Sequence, residues 1–189
     1  MTKYEQEFYK FAIATENFEA ICDIVDNFHE FRDRIIYDFW LHVKGRCEEH
    51  LKNSKGWKVY LAPFEEEVSE FTIYRAEYSA NNSEEVDIGI SAFNLYSQVT
   101  YGLYVTEKPA LFNREKFMKN AKENRIAGWR YGTGFPYFKL LPENFSDISD
   151  LKKIHPANRA SFVQQYARAL IDAVREFEPI IKKHILKKK

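Results

Sequence analysis

The sequence predicts an α+β fold: an antiparallel sheet of four to five strands, flanked by two N-terminal helices and a long kinked C-terminal helix. Four segments between Trp57 and Glu107 alternate apolar and polar residues with the period of two that half-buried strands require. Apolar residues at helical spacing precede and follow this run. Because the connections between the four segments are short and polar, neighbouring strands should pair antiparallel.

The N-terminal part, residues 1–52, is predicted to form two amphipathic helices. The first begins at Thr2, since Thr2 and Glu5 have the spacing of a capping box. Its apolar stripe consists of Phe8, Phe11, Ala12, Thr15, Phe18, Cys22 and Val25. The second helix runs from about Phe28 to Leu51. Residues 26–28 either break the helix or only bend it, because no Pro or Gly there forces a stop.

The middle part, residues 57–143, should contain the sheet with one inserted helix. The four predicted strands are Trp57–Phe64, Phe71–Tyr78, Val86–Asn94 and Val99–Glu107. A third helix is expected from Arg114 to about Asn124, with Asn113 as its N-cap. The aromatic and glycine-containing segment 125–139 is compatible with a fifth strand.

The C-terminal part, residues 146–187, is predicted to be helical. Residues Ser146–Ile154 have the pattern of a short helix, and the last helix should begin near Pro156, a favourable first-turn residue. Pro179 should kink it, because proline lacks the backbone N–H and clashes with the preceding turn. With 189 residues, of which 45% are hydrophobic, the three parts together are expected to form one domain.

Composition predicts a cytoplasmic protein that does not act at a membrane. No apolar stretch approaches the roughly 20 residues needed to span a bilayer, and the N-terminus lacks the pattern of a signal peptide. Two cysteines, Cys22 and Cys47, lie on predicted helices. They are expected to be buried thiols of a reducing compartment, with a disulfide as the alternative.

The charges are unevenly distributed although the formal net charge is zero. Residues 1–100 contain 19 acidic and 10 basic side chains, whereas residues 101–189 contain 9 acidic and 18 basic ones. A basic half is typical of a nucleic-acid surface. In the alternative interpretation the two halves face each other in the fold and neutralise.

No pattern of catalytic or metal-binding residues is recognisable. Cys47 and His50 lie one helical turn apart, but nothing completes the four ligands of a structural zinc site. Nucleophile-elbow and phosphate-loop motifs are absent. The glutamate runs at 65–67 and 84–85 fall in predicted loops, where such charges are usually solvated. The sequence therefore predicts no catalytic residue, no metal and no cofactor, and favours a non-enzymatic function.

A cluster of interleaved aromatic and basic residues is the candidate binding site. Its members are Arg125, Trp129, Arg130, Tyr131, Phe135, Tyr137 and Lys139. Trp, Tyr and Arg are enriched in protein-binding hot spots, and the same mixture suits stacked bases and phosphates. We predict a site for a protein partner or a small ligand, and the surface is compatible with an isologous homodimer. Alternatively, the aromatic residues belong to the core and the basic residues are their solvated neighbours.

The order of elements and several packing motifs resemble those of a known superfamily. The motifs are Phe39-Trp40, Gly56-Trp57, Ile88-Gly89-Ile90, Tyr101-Gly102-Leu103-Tyr104 and Trp129 before a long final helix. Over Phe28–Leu186 the chain resembles the C-terminal part of PD-(D/E)xK-superfamily proteins of bacterial restriction and defence loci. The nearest match to the nuclease motif, Asp150-Leu151-Lys152, falls in a predicted helix or loop rather than on a strand. The resemblance therefore implies an accessory part without the nuclease centre, and nucleic-acid binding as the alternative function.

Overall fold

The computed structural model describes residues 2–64, 70–79 and 86–185. The chain is divided after Ile35 into two compact units, residues 1–35 and 36–189. The predicted α+β class is confirmed. Among the described residues, no helix combines the length and the apolar content that a membrane crossing requires.

The helices and strands follow the predicted order. The helices are α1 (Lys3–Ala12), α2 (Thr15–Leu51), α3 (Arg114–Glu123), α4 (Ile148–Leu151) and α5 (Ala160–His184). The strands are β1 (Trp57–Leu61), β2 (Glu70–Arg75), β3 (Ile88–Phe93), β4 (Gln98–Val105) and β5 (Tyr137–Asn144). Short 3-10 turns follow β2, at Ala76–Tyr78, and α4, at Lys152–Ile154.

The N-terminal unit begins with the predicted capping box: the Thr2 hydroxyl accepts the Glu5 backbone N–H, and the Glu5 carboxylate accepts that of Thr2. The first helix ends at Ala12, much earlier than the predicted stripe, which reached Val25. At this break the Asn17 side-chain amide donates a hydrogen bond to the Phe11 carbonyl oxygen at 3.0 Å. Helix α2 is continuous through residues 26–28, because nothing there removes a backbone donor.

The second unit is built on a meander. The described residues form a five-stranded sheet in the order β1-β2-β3-β4-β5, with every neighbouring pair antiparallel. One apolar row crosses all five strands: Val59, Ile73, Ile90, Leu103 and Tyr137 stand opposite one another in register. The fifth strand lies at Tyr137–Asn144, so the predicted segment 125–139 supplies only its beginning.

The core lies between this row and two helices, the second half of α2 and α5. The Trp40 ring of α2 lies 5.4 Å from Phe71 of β2 and 5.7 Å from Tyr166 of α5. Further along α5, Phe177 stacks on Tyr137 of β5 at 5.3 Å. Since Trp40, Phe71, Tyr166 and Phe177 are all fully buried, these contacts fix both helices to one sheet face.

One buried carboxylate lies within this core. The Tyr166 hydroxyl donates to Glu143 at 2.9 Å, and the Lys153 ammonium lies 3.7 Å from the same carboxylate. Burial, and then the charge of Glu143, raise the pKa of Tyr166. The phenol therefore stays protonated and remains a donor at neutral pH, so the buried charge is compensated.

The opposite face of the sheet is polar at β2 and β3 and aromatic at β4. The hydroxyls of Thr72 and Ser91 lie 2.8 Å apart. Phe135, from the loop before β5, packs edge-on against Phe93 at 5.5 Å and Tyr104 at 5.6 Å. That loop therefore covers the end of this face near β3 and β4.

The C-terminal helices differ from the prediction at one boundary. Helix α4 and the following 3-10 turn fall within the predicted short helix at Ser146–Ile154. The last helix begins at Ala160 rather than near Pro156. The backbone N–H groups of Asn158 and Arg159 both donate to the His155 carbonyl, which holds residues 156–159 in a turn before the helix. Pro179 lies inside α5, which continues to His184.

Both cysteines are free thiols. Cys22 is half-buried, whereas Cys47 is fully buried in the second unit. Burial, reinforced by the nearby Glu48 carboxylate, raises the pKa of Cys47 to about 12. Because the thiolate is the reactive form, Cys47 is chemically inert at neutral pH.

Two glycines provide a matched test of this packing. At Gly102, a Cβ atom would lie 2.1 Å from the Tyr137 carbonyl oxygen, whereas at Gly45 it would meet nothing within 4 Å. We expect Gly102→Ala to lower the free energy of unfolding by about 3 kcal/mol, because β4 and β5 must separate. Gly45→Ala, in the middle of α2, should raise it by about 1 kcal/mol. Urea denaturation followed by circular dichroism measures both; equal effects would contradict the close approach of β5 to Gly102.

Candidate protein-binding surface

Trp129, the central residue of the predicted cluster, is a core residue. Its side chain is 8% exposed and lies 5.7 Å from the Tyr101 ring and 4.7 Å from Phe177. The indole N–H donates to Glu176 at 3.1 Å, and the Lys139 ammonium lies 4.0 Å from the ring centroid. The ring and its polar atom are therefore both engaged within the chain.

Tyr137 is buried in the same region. It is 5% exposed, stacks on Phe177, and donates its hydroxyl to the Asn124 carbonyl at 2.8 Å. Burial raises the pKa of Tyr137, which keeps the phenol protonated as a donor. This contact joins β5 to the end of α3, so Tyr137 positions two elements against each other.

The remaining members of the cluster do not form one surface. The Arg125 guanidinium lies 5.7 Å from the Tyr131 ring, so these two residues are brought together. Arg130 is exposed, and its backbone exchanges two 2.9 Å hydrogen bonds with Phe138. Phe135 lies on the opposite face of the sheet from Trp129. Binding at Arg125, Arg130 and Tyr131 stays a prediction.

The motif suggested by the superfamily resemblance has a structural role. Asp150 lies on α4, and Lys152 lies in the 3-10 turn that follows it. The Asp150 carboxylate accepts the Asn144 backbone N–H at 2.8 Å and pairs with Lys153 at 2.8 Å. The hydrogen bonds from Lys153 and Asn144 lower the pKa of Asp150. Within the described ranges, no group of three or more His, Cys, Asp or Glu side chains could hold a metal ion.

Most of the exposed large hydrophobic residues in the described part of the chain lie instead at the N-terminus. Nine large hydrophobic residues between positions 4 and 31 are more than half exposed. They are Tyr4, Phe8, Tyr9, Phe11, Ile13, Phe18, Ile24, Val25 and Phe31, and we call them the N-terminal apolar surface. Helix α1 contains no buried residue. Unit 2 is about four times longer, yet it exposes only Leu41, Tyr60, Leu140 and Ile148 among its described large hydrophobics.

The area of this surface is that of an interface. Aromatic side chains contribute roughly 150–250 Å² each and aliphatic ones less, so the six aromatic and three aliphatic residues, all more than half exposed, present a summed area of roughly 1,000 Å². The largest apolar patch of a typical monomer is about 300–600 Å². A standard protein–protein interface buries about 800 Å² per partner. The summed exposed area of the nine residues therefore exceeds the largest apolar patch of a typical monomer and reaches the area that one partner buries in a standard interface.

The apolar residues of α2 have coiled-coil spacing. Phe18, Ile21, Val25 and Phe28 follow one another at intervals of three, four and three residues, which places them along one seam. The positions beside the seam contain no acidic residue and no lysine. They are occupied by Cys22, Ile24, His29 and Phe31. Glu19, Asp23 and Glu30 lie on the far side of the helix.

Sequence periodicity places Phe8, Phe11, Phe18 and Val25 on helical stripes, but it does not show whether anything covers them. The sequence signal for an exposed apolar face is the width of the apolar arc of α2. The seam is apolar and so are three of its four flanking positions, Cys22, Ile24 and Phe31, so the arc spans about half of the helix circumference. A helix at the surface of a globular core needs only about 100°.

Comparison of the chain with protein-family models, with curated proteins and with solved structures finds no significant match. The structure defines an α+β protein with an exposed apolar helical segment.

A pair of substitutions separates a structural role of the predicted cluster from a binding role. We expect Trp129→Ala to lower the free energy of unfolding by about 3–5 kcal/mol, because it removes a buried ring and leaves Glu176 without its donor. Arg130→Ala, at an exposed position of the same segment, should change stability by less than about 0.5 kcal/mol. Thermal or urea denaturation measures both. A stable, fully folded Trp129→Ala variant would contradict the core assignment.

Proposed function

We propose that this protein is a non-catalytic binding protein that engages a protein partner through its N-terminal apolar surface, and that this partner is a second copy of the chain. The observation that carries the proposal is the exposure of nine large hydrophobic residues within a short helical segment. Such an area left in water has an unfavourable hydration free energy, which association removes.

The residues beside the seam favour a second copy over a different partner. In coiled coils, charged residues at these flanking positions select the partner and its orientation. Here Cys22, Ile24, His29 and Phe31 occupy them, so no acidic side chains and no lysines of like charge oppose each other when two identical faces meet. Apolar flanks also widen the contact beyond a simple two-helix seam.

Self-pairing also leaves the charges of α2 in water. The acidic side chains of Glu19, Asp23 and Glu30 project away from the seam and remain hydrated in an isologous pair. The polar faces then keep the assembly soluble, while Phe18 and Val25 lie near the middle of the contact. Self-association of this kind brings two copies of the α+β unit into one particle and so makes any binding by that unit bivalent.

The assembly is tested by placing charges in the seam. Phe18 is 55% exposed and Val25 is 65% exposed, so Phe18→Asp with Val25→Asp should leave the monomer folded. We expect the wild-type chain to sediment as a dimer or larger species at micromolar concentration and the double variant as a monomer, because each buried carboxylate costs several kcal/mol. Sedimentation equilibrium measures the masses.

The matched control is Ile148→Asp, a residue that is 56% exposed but lies on α4 in the other unit. It should retain the wild-type mass. A monomeric wild-type chain at about 100 μM, a concentration at which even weak standard-size interfaces form, would refute self-association. An unchanged mass of the double variant would refute the assigned surface.

Nucleic-acid binding is the second candidate, and a basic groove beside β1 favours it. The groove has a volume of about 510 Å³, and its lining includes three lysines, Lys52, Lys55 and Lys58, and one acidic residue, Glu48. The three lysines are exposed, and none forms an ion pair with a described residue. Exposed Tyr60 and half-buried Tyr74 also line the groove, and lysines beside aromatic rings suit the phosphates and bases of a single strand. This is also the function that the superfamily resemblance implies.

A salt titration tests this second candidate. We expect a labelled single-stranded oligonucleotide to bind with a log–log salt slope near −2, because three lysines each release about 0.7 counterion from a single strand. Lys55→Glu with Lys58→Glu should weaken binding by about tenfold or more. Lys119→Glu, which removes an exposed lysine paired with Glu123, serves as the control. Fluorescence anisotropy measures binding, and an absence of binding at low salt would exclude this candidate.

A further inference from the structure

A second cavity lies between α3 and the C-terminal end of α5, within the α+β unit. Its volume is about 350 Å³. The inner wall is apolar and is formed by Phe117 of α3, Tyr137 of β5 and Ile180 of α5. Phe117 and Tyr137 are buried residues of the core, so this wall is rigid. The volume is at the lower end of the range found for small-molecule sites, about 300–1,000 Å³.

The rim of the cavity carries hydrogen-bond donors without partners. Lys183 is exposed and forms no ion pair with a described residue. The half-buried side-chain amide of Asn120 has no hydrogen-bond partner in the described part of the chain. Asn124, by contrast, is satisfied, because its side chain donates to the Asn120 carbonyl at 2.9 Å. A lysine and an amide are therefore both available at the rim.

His184 completes the rim. Its ring packs edge-on against Phe117 at 4.9 Å and 90°, which fixes its orientation. The charges of two lysines act on the imidazole, Lys183 from its own helix and Lys116 from α3, and Tyr137 is the titratable group that β5 contributes to the cavity. No carboxylate lines the cavity, so the positive charges are not neutralised there.

We propose that this cavity binds a small organic carboxylate, with the anionic group at Lys183 and Asn120 and the apolar end against Phe117, Tyr137 and Ile180. An ammonium and an amide N–H are donors of the type that carboxylates accept, and charge-assisted hydrogen bonds are the stronger kind. The apolar wall excludes a fully hydrated inorganic anion as the better ligand, since it would leave that wall without a partner. The site is independent of the N-terminal apolar surface.

Binding at this site is coupled to protonation of His184. Burial, and then the charges of Lys183 and Lys116, lower the pKa of His184, which favours the neutral imidazole in the free protein. A bound carboxylate beside the ring stabilises the charged form and raises that pKa. The complex therefore takes up a proton that the free protein does not hold, and the affinity rises as the pH falls into the titration range of His184.

The experiment is a titration of the full chain with benzoate, followed by amide NMR shifts at several pH values between about 5 and 8, the range in which histidine titrates. We expect shifts confined to α3, β5 and the end of α5, and tighter binding at the lower pH. Benzamide, which has the same ring without the charge, should bind at least about tenfold more weakly, because a charge-assisted hydrogen bond is lost.

Three variants make the result specific. Lys183→Met should weaken benzoate binding by about tenfold, whereas Lys182→Met, whose ammonium pairs with Glu178, should leave it unchanged. His184→Gln should bind benzoate with little dependence on pH. No shift of cavity residues at about 10 mM benzoate, above the weakest dissociation constants of specific sites, would overturn the proposal. Equal effects of the two lysine variants, or shifts located elsewhere, would also overturn it.

Discussion

The structure of the second unit depends on the packing of aromatic rings between α2, α5 and one face of the sheet. Trp40 contacts both Phe71 and Tyr166, and Phe177 contacts both Trp129 and Tyr137, so each ring joins two elements. Burying such rings contributes about 1.5–3 kcal/mol for each side chain. Because the apolar row runs through all five strands, the same burial holds the meander in register.

This packing also explains why neither proposed binding surface uses Trp129, the central residue of the predicted cluster. Within the 125–139 segment Trp129 and Tyr137 belong to the core, whereas Arg125 and Arg130 are exposed. The proposed carboxylate site uses the outer edge of the same packing, because Phe117 and Tyr137 form both the core and the cavity wall. The N-terminal apolar surface, by contrast, consists of residues that the chain itself does not cover.

The fold was largely predictable because its signals are local. The alternation in the four strands, the capping box at Thr2 and the N-cap at Asn113 depend on neighbouring residues alone. The placement of the aromatic residues in the 125–139 segment could not be predicted from neighbouring residues. The backbone bridge between Arg130 and Phe138 turns Trp129 to the helix-covered face, while Phe135 contacts the other. Likewise, Phe117 and His184 meet only through the tertiary fold, so no spacing along the chain could reveal their cavity.

The contrast between the two cysteines has a practical consequence. Cys47 is sealed in the core with its pKa raised to about 12, while Cys22 is half-buried beside the seam of α2. A thiol-specific reagent should therefore modify the natural sequence at a single position. A nitroxide or fluorophore attached to Cys22 would report on the surroundings of that helix without any engineered residue. Cys22 is thus a native labelling site in the helix through which association is proposed.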